Sequence, residues 1–221
     1  MRICTKYAQT KKGWSLLKDN VFVTNGCTSH SLGERQEHDY YATEPRAIEL
    51  LLDLEELSND ILEPCCGEGH ISKVLESDNY NVYSSDLIDR GYGVGGRDIF
   101  KYHLNEHGYL CYEDEIVIAN KNFDIVTNPP YKQVKEFTEH MLTLLNDNQK
   151  LILFLKLTFM ESQSRRKLFD EHPFKKLYVA SKRLNAAKNG DFEKYKSSAV
   201  AYGWFVWEKG FKGYPIIKWF N

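Results

Sequence analysis

Long apolar runs are missing from this chain. The longest, Leu151 to Phe159, is interrupted by Lys156 and falls far below the roughly 18 residues that a membrane span needs. The opening residues Met1-Arg2-Ile3-Cys4-Thr5-Lys6 hold no apolar core of signal-peptide length, so secretion is not expected. Cysteine is scarce and odd in number. There are five, two of them adjacent at Cys65 and Cys66, which suits a reducing cytoplasm better than a disulfide framework. Internal repeats and low-complexity segments are also lacking. These absences exclude membrane, secreted and fibrous classes and leave a cytoplasmic globular protein.

Hydrophobic residues make up 42% and charged residues 27% of 221, ordinary values for a folded chain of one-domain size. The net charge of −2 conceals an asymmetry. From Lys150 onward there are 15 Lys and Arg against 6 Asp and Glu, a net of +9, whereas residues 1 to 149 carry −11. The basic part includes Arg165-Arg166-Lys167, Lys175-Lys176, Lys182-Arg183, Lys188, Lys194 and Lys196. It reads either as a polyanion-facing surface or as solvated helix and loop faces.

Residues 1 to 38 are polar and turn-rich and read as an irregular arm. Residues 39 to 221 read as a single domain. Thr43 as N-cap, Pro45 in the first turn, and Ala47, Ile48, Leu51 and Leu52 at helical spacing predict a helix. Strands are predicted at Ile61-Leu62, Asn81 to Ser85, Ile116-Val117-Ile118, Phe123 to Val126, Leu151 to Leu155, Leu177-Tyr178-Val179 and Ala199 to Trp207. Further helices are predicted over His70 to Glu76, Lys132 to Leu145 and Glu161 to Phe169. Strands alternating with helices give an α/β fold with a mostly parallel sheet covered on both faces.

Ligands of such sheets bind beyond the carboxyl ends of the strands. After the first comes Glu63-Pro64-Cys65-Cys66-Gly67-Glu68-Gly69, whose two glycines let a ligand approach the backbone. The third glycine of the dinucleotide fingerprint is absent, as is the lysine of a phosphate loop. Asp86 follows the second strand, 23 residues beyond Glu63, placed to accept hydrogen bonds from ribose hydroxyls or to close a turn. Asp98-Ile99-Phe100 offers a carboxylate for an exocyclic adenine amine and a ring to flank it.

The strongest signal is Asn128-Pro129-Pro130-Tyr131, after Phe123-Asp124-Ile125-Val126-Thr127. Prolines leave their carbonyls without ladder partners. The Asn128 side-chain carbonyl and the Pro129 carbonyl can therefore converge on one NH₂ group. Two such acceptors draw a conjugated amine toward tetrahedral geometry as it attacks. Tyr131 offers a flat face for a base. A rigid strand-end turn is the plainer use of a Pro-Pro pair.

This tetrapeptide resembles the catalytic motif of class I S-adenosylmethionine-dependent methyltransferases that act on amino groups, above all the N6 of adenine in DNA. The resemblance spans about Asp39 to Trp207. It implies a Rossmann-like seven-stranded sheet with an antiparallel late strand, and Asn128, Pro129, Pro130 and Tyr131 as catalytic residues. Asp39-Tyr40-Tyr41-Ala42-Thr43-Glu44-Pro45 is similar to the motif that opens these enzymes, and Tyr40 and Thr43 would touch the cofactor. Glu63, Pro64, Cys65, Gly67 and Gly69 match the cofactor loop, Asp86 and Leu87 the ribose site, and Asp98, Ile99 and Phe100 the adenine site. Tyr202-Gly203-Trp204-Phe205-Val206-Trp207 looks like the late strand beside the target base. The motif order is gamma-like, with no separate target-recognition domain. Recognition would fall to Ser181 to Ser197 and to the N-terminal arm, and DNA is the expected partner.

The same motif on the same fold also serves RNA-adenine and protein-glutamine methyltransferases. A non-catalytic nucleic-acid-binding protein with a decayed site is the remaining alternative. Gly91, Gly93, Gly95 and Gly96 read as a connector, because no strand and helix flank them. His103, His107 and Cys111 at i, i+4, i+8 would share one face of a helix, but Gly108 interrupts it and a fourth ligand is not evident. Cys4, Cys27 and His30 are similarly incomplete. No metal is therefore expected. Trp204 and Trp207 read as core.

Overall fold

The computed structural model describes residues 7–10, 13–16, 40–184, 186–188, 192 and 200–221. The chain forms two compact units, Met1–Glu34 and Arg35–Asn221. In the first, β1 (Tyr7–Thr10) and β2 (Gly13–Leu16) make a short antiparallel ladder with Tyr7 opposite Leu16, where an irregular arm is expected. Asp39, Cys4, Cys27, His30 and most of 189–199 lie outside the described residues.

The second unit starts with β3 (Tyr41–Thr43), α1 (Pro45–Leu52), β4 (Asp60–Glu63), α2 (His70–Ser77) and β5 (Asn81–Ser84). A local meander follows, β6 (Tyr102–Leu104), β7 (Leu110–Tyr112) and β8 (Glu115–Ile118). The chain then forms β9 (Phe123–Thr127), α3 (Val134–Thr143), β10 (Lys150–Lys156), α4 (Arg166–Glu171) and β11 (Lys176–Ala180). It closes with β12 (Ala186–Lys188), β13 (Tyr202–Glu208) and β14 (Ile216–Phe220).

Seven strands form the main sheet in the order β14-β11-β13-β10-β9-β4-β5. All neighbours are parallel except β13, which runs antiparallel to β10 and β11. The central strands are apolar on both faces, as a doubly covered sheet requires. Along β10, Leu151, Leu153 and Leu155 enter one core cluster while Ile152 and Phe154 enter the other. That is the period of two of a strand. Trp204 and Trp207 divide in the same way and are fully buried, their indole N–H groups donating to Ala47 O and His172 O, both at 2.9 Å.

Four local expectations are corrected. Thr43 does not cap α1: the N-cap is Glu44, without a side-chain bond, and Pro45 opens the helix. Ile116 to Ile118 form a strand outside the main sheet, because a two-residue turn at Glu113 (φ +49°) and Asp114 folds β8 back on β7. The seventh strand of the sheet is instead β14, which no pattern announces, since Ile216, Ile217 and Trp219 are all exposed. His103 and Cys111 do not share a helix face: they face each other across β6 and β7. Among the described residues no group of three or more His, Cys, Asp or Glu could hold a metal ion, and no helix is long and apolar enough to cross a membrane.

Candidate active site

The parallel strands β4, β5 and β9 end side by side, and a cleft of about 890 Å³, counting its open mouth, lies beyond their carboxyl ends. After β4 the chain turns through Pro64 to Gly69 into α2. Gly67 (φ +56°) and Gly69 (φ +78°) are left-handed, and a Cβ on either would sit 2.3 Å from the Tyr40 ring or 2.4 Å from the Tyr92 ring. The loop is stitched to the neighbouring strand end: Cys66 N–H donates to Ser85 O and Gly67 N–H to Asp86 Oδ2, both at 2.9 Å.

Asp86 also accepts from Ile88 N–H through Oδ1 at 2.9 Å. Asp98 Oδ1 accepts from Phe100 N–H at 3.0 Å and so shapes the short turn that presents Ile99 and Phe100. Tyr40 lies over the Gly67 loop. Its hydroxyl accepts from Glu68 N–H at 3.3 Å, and the Arg90 guanidinium stands 4.5 Å from its ring centroid. The cleft is lined by Tyr40, Thr43, Glu63, Pro64, Cys65, Asp86, Leu87, Asp98, Ile99, Phe100, Asn128, Pro129 and Pro130. Gly67, Gly69 and Tyr131 stand outside the lining.

Burial decides the protonation of the floor. The Cys66 thiol is pushed up to about 12 and the Cys65 thiol well above its ordinary value, first by burial and then by the charges of Asp86 and Glu63. Neither is a nucleophile at neutral pH. Glu63 is 1% exposed and bonded to Ser72 Oγ. Burial lifts its carboxyl from an ordinary 4.5 to about 8, with Asp86 and Glu76 adding to the rise.

A carboxyl raised in the folded state holds its proton while the unfolded chain has lost it. Stability therefore falls as pH climbs from about 4.5 to about 8 and levels off beyond. In Glu63→Gln, which copies the protonated form, urea denaturation at pH 5 and pH 8 is expected to show that decline largely flattened. An unchanged decline would assign it to another group.

At the end of β9, Asn128 Nδ2 donates to Tyr41 O at 2.8 Å and to Thr43 Oγ1 at 3.0 Å. A carbonyl oxygen only accepts, so the amide orientation is set by this pair of bonds, and Oδ1 is the part of the group they do not use. Tyr131 stands between the Tyr41 and Tyr202 rings, with centroids at 5.9 and 6.4 Å. Lys156 Nζ lies 4.5 Å from the Tyr131 centroid.

Reasoning from sequence missed Tyr41, Arg90 and His70, and it expected Thr43 at the cofactor but not as a partner of Asn128. Tyr41 and Thr43 orient Asn128 through contacts 87 and 85 residues away. Arg90 covers Tyr40, and His70 lines the cleft with its ring 5.5 Å from Phe192. Only the aromatic content of Tyr40-Tyr41 hinted at the first.

Much of the basic C-terminal part is engaged within the fold. Glu55, 4% exposed, accepts from Lys150 at 2.9 Å, from Lys176 and from Tyr178. Burial opposes its charge, yet these bonds hold its carboxyl below the ordinary range. Lys175 pairs with Glu208, Arg166 with Asp170 and Lys167 with Glu171. Arg165 donates to the carbonyls of Phe159 at 2.6 Å and Thr158 at 3.2 Å, bracing the turn after β10. Five of the C-terminal cations thus have carboxylate partners, Lys150 and Lys176 at Glu55 and Lys175, Arg166 and Lys167 within the C-terminal part itself.

No model of a known protein family matches the chain, and no curated protein matches its sequence. Solved structures match its fold. A Lactococcus lactis protein described as a hemolysin has a TM-score of 0.55 at 11% identity, over 82% of this chain and 95% of that one. A class I S-adenosylmethionine-dependent methyltransferase of Listeria monocytogenes has 0.51 at 11%, over 90% and 70%. The modification subunit of a type I restriction enzyme from Vibrio vulnificus has 0.50 at 9%, over 86% and 48%. At such identities the likeness is one of fold: a Rossmann-like class I methyltransferase sheet.

Proposed function

We propose that this protein transfers a methyl group from S-adenosylmethionine to the exocyclic N6 amine of adenine in DNA, with the base flipped out of the duplex. The observation that carries the proposal is the locked amide of Asn128, whose nitrogen is tied to Tyr41 O and Thr43 Oγ1. Its Oδ1 then serves as a fixed acceptor beside the Pro129 carbonyl.

The cleft suits the cofactor. Left-handed Gly67 and Gly69 let the loop turn tightly against the Tyr40 and Tyr92 rings, where a Cβ would clash. Asp86 and Asp98 supply acceptors for ribose hydroxyls and for an adenine amine, and Ile99 and Phe100 supply apolar walls. When bound, the cofactor supplies a methyl group already activated on a sulfonium. What remains for the protein is positioning. Asn128 and Pro129 accept from the amine and favour its change of geometry, Tyr131 stacks the base, and the buried neutral thiols and carboxyl keep nucleophiles out of the floor. The gamma-like motif order, with the cofactor motifs preceding Asn128, and the type I modification subunit among similar folds agree with DNA as substrate.

Incubation with radiolabelled S-adenosylmethionine and DNA, RNA or protein in parallel tests this. Label is expected in DNA, recovered as N6-methyladenine after digestion. Label only in RNA or protein moves the activity to that substrate, and no label in any of them overturns the proposal.

A further inference from the structure

One permanent cation stands among the acceptors of the cleft. Arg90 lines it together with Asp86 and Asp98, and its guanidinium lies 4.5 Å from the Tyr40 ring centroid. Tyr40 is packed against Gly67, whose N–H donates to Asp86 Oδ2. Arg90 therefore belongs to the glycine-loop end of the cleft, whereas Asp98 shapes the separate turn at Ile99 and Phe100. Burial pushes the His70 ring below its ordinary value and so keeps it neutral at pH 7, and burial lifts the Glu63 carboxyl and both thiols. The charges left in the lining are two carboxylates and one guanidinium.

Those three groups are not paired with one another. Asp86 accepts from Gly67 and Ile88 N–H groups and Asp98 from Phe100 N–H. Among the described residues no carboxylate forms an ion pair with Arg90. Attraction to a ring face holds a guanidinium in place without a hydrogen-bond acceptor. Its planar fork of donors suits a carboxylate, which it can take through two parallel bonds. S-adenosylmethionine carries two positive groups, the sulfonium and the ammonium, and one carboxylate. The lining presents the opposite set. Of the cofactor's charged groups only the carboxylate attracts a guanidinium, since the other two repel it. With the ribose held at Asp86 and the carboxylate at Arg90, the sulfur between them is restrained from both sides, as aiming a methyl group requires.

We propose that Arg90 is a specificity-determining residue that takes the carboxylate at the amino-acid end of the cofactor, so that the cleft prefers S-adenosylmethionine and its demethylated product to adenosyl thioethers without a carboxylate. This rests on the cofactor assigned to the cleft above.

Titration calorimetry on the full chain, without nucleic acid, compares S-adenosylhomocysteine with its decarboxylated analogue, which keeps the amine. The wild type is expected to bind the first about thirtyfold more tightly, as a charge-assisted contact of two hydrogen bonds gives. Arg90→Met should lose about as much on S-adenosylhomocysteine and nothing further on the analogue, because both changes remove one contact. Equal wild-type affinities for the two ligands, or losses that add, overturn the role of Arg90 while leaving the cofactor site standing. A preference kept by Arg90→Met, with DNA affinity lost instead, also overturns it and moves the guanidinium to a DNA phosphate. A wild type that binds neither ligand overturns the cofactor reading as well. If Arg90→Met fails to fold, Arg90→Gln takes its place: it must lose the preference, and an unchanged ratio of the two affinities overturns the role.

Discussion

Asn128→Ala is expected to slow methyl transfer on the order of a hundredfold or more, as removal of a preorganised transition-state acceptor does. Cofactor affinity should stay close to wild type, since the amide is tied to Tyr41 O and Thr43 Oγ1 on the β3 side and not to Asp86 or the Gly67 loop. Single-turnover rates with saturating DNA measure the first quantity and titration calorimetry the second. Because the amide also ties β9 to β3, the variant loses about 1 to 2 kcal/mol of stability as well. A thermal melt on the same sample separates that loss from the effect on rate. Transfer at the wild-type rate would reduce Asn128-Pro129-Pro130-Tyr131 to a rigid strand-end turn.

Asp86→Ala is expected to weaken binding of S-adenosylmethionine or its demethylated product on the order of a hundredfold, the value of one or two charge-assisted hydrogen bonds. The carboxylate has a second duty, since Oδ2 accepts from Gly67 N–H and Oδ1 from Ile88 N–H. The alanine variant thus loses the ribose acceptor and loosens the loop together. Asp86→Asn keeps one acceptor without the charge and should fall between. Calorimetry on the three proteins, with melting temperatures measured with and without ligand, orders them. Wild-type affinity in Asp86→Ala would make the residue a loop brace and nothing more.

The two variants act at the ends of β9 and β5, strands separated by β4, and differ in what their residues face. Asn128 sits on the β3 side with Tyr41 and Thr43, and Asp86 on the glycine-loop side. Their effects on rate and on cofactor affinity should therefore separate. Coupling between them would signal a shared conformational change rather than two local contacts.

The alternation of β4, α2, β5, β9, α3, β10, α4, β11 and β13, the two-faced burial of the sheet and the positions of the strand-end motifs were legible from sequence, because each rests on local pattern. Leu151 to Leu155 is apolar without a break and becomes a strand covered on both faces. The glycines after Glu63 adopt the left-handed conformations that a tight turn beneath an aromatic ring demands. Asn128 follows the buried strand β9 and Asp86 the short, partly exposed β5, and both arrive at the carboxyl ends of parallel strands, where ligands of such sheets bind.

Four features were decided by tertiary structure alone. The orientation of the Asn128 amide depends on a carbonyl and a hydroxyl more than 80 residues earlier, and Lys156 reaches the Tyr131 ring only when β10 is laid beside β9. The seventh strand of the sheet is β14, whose exposed Ile216, Ile217 and Trp219 show no alternation, because an edge strand gains its place by pairing with β11 rather than by burying a face. The −11 and +9 halves that suggested a polyanion surface meet at Glu55 of the acidic part, buried between Lys150 and Lys176 of the basic part, while Lys175, Arg166 and Lys167 pair with carboxylates of the basic part itself. Charge is counted along a chain, but it is neutralised in space. Composition along the sequence carries no record of which carboxylate folding will bring to which ammonium.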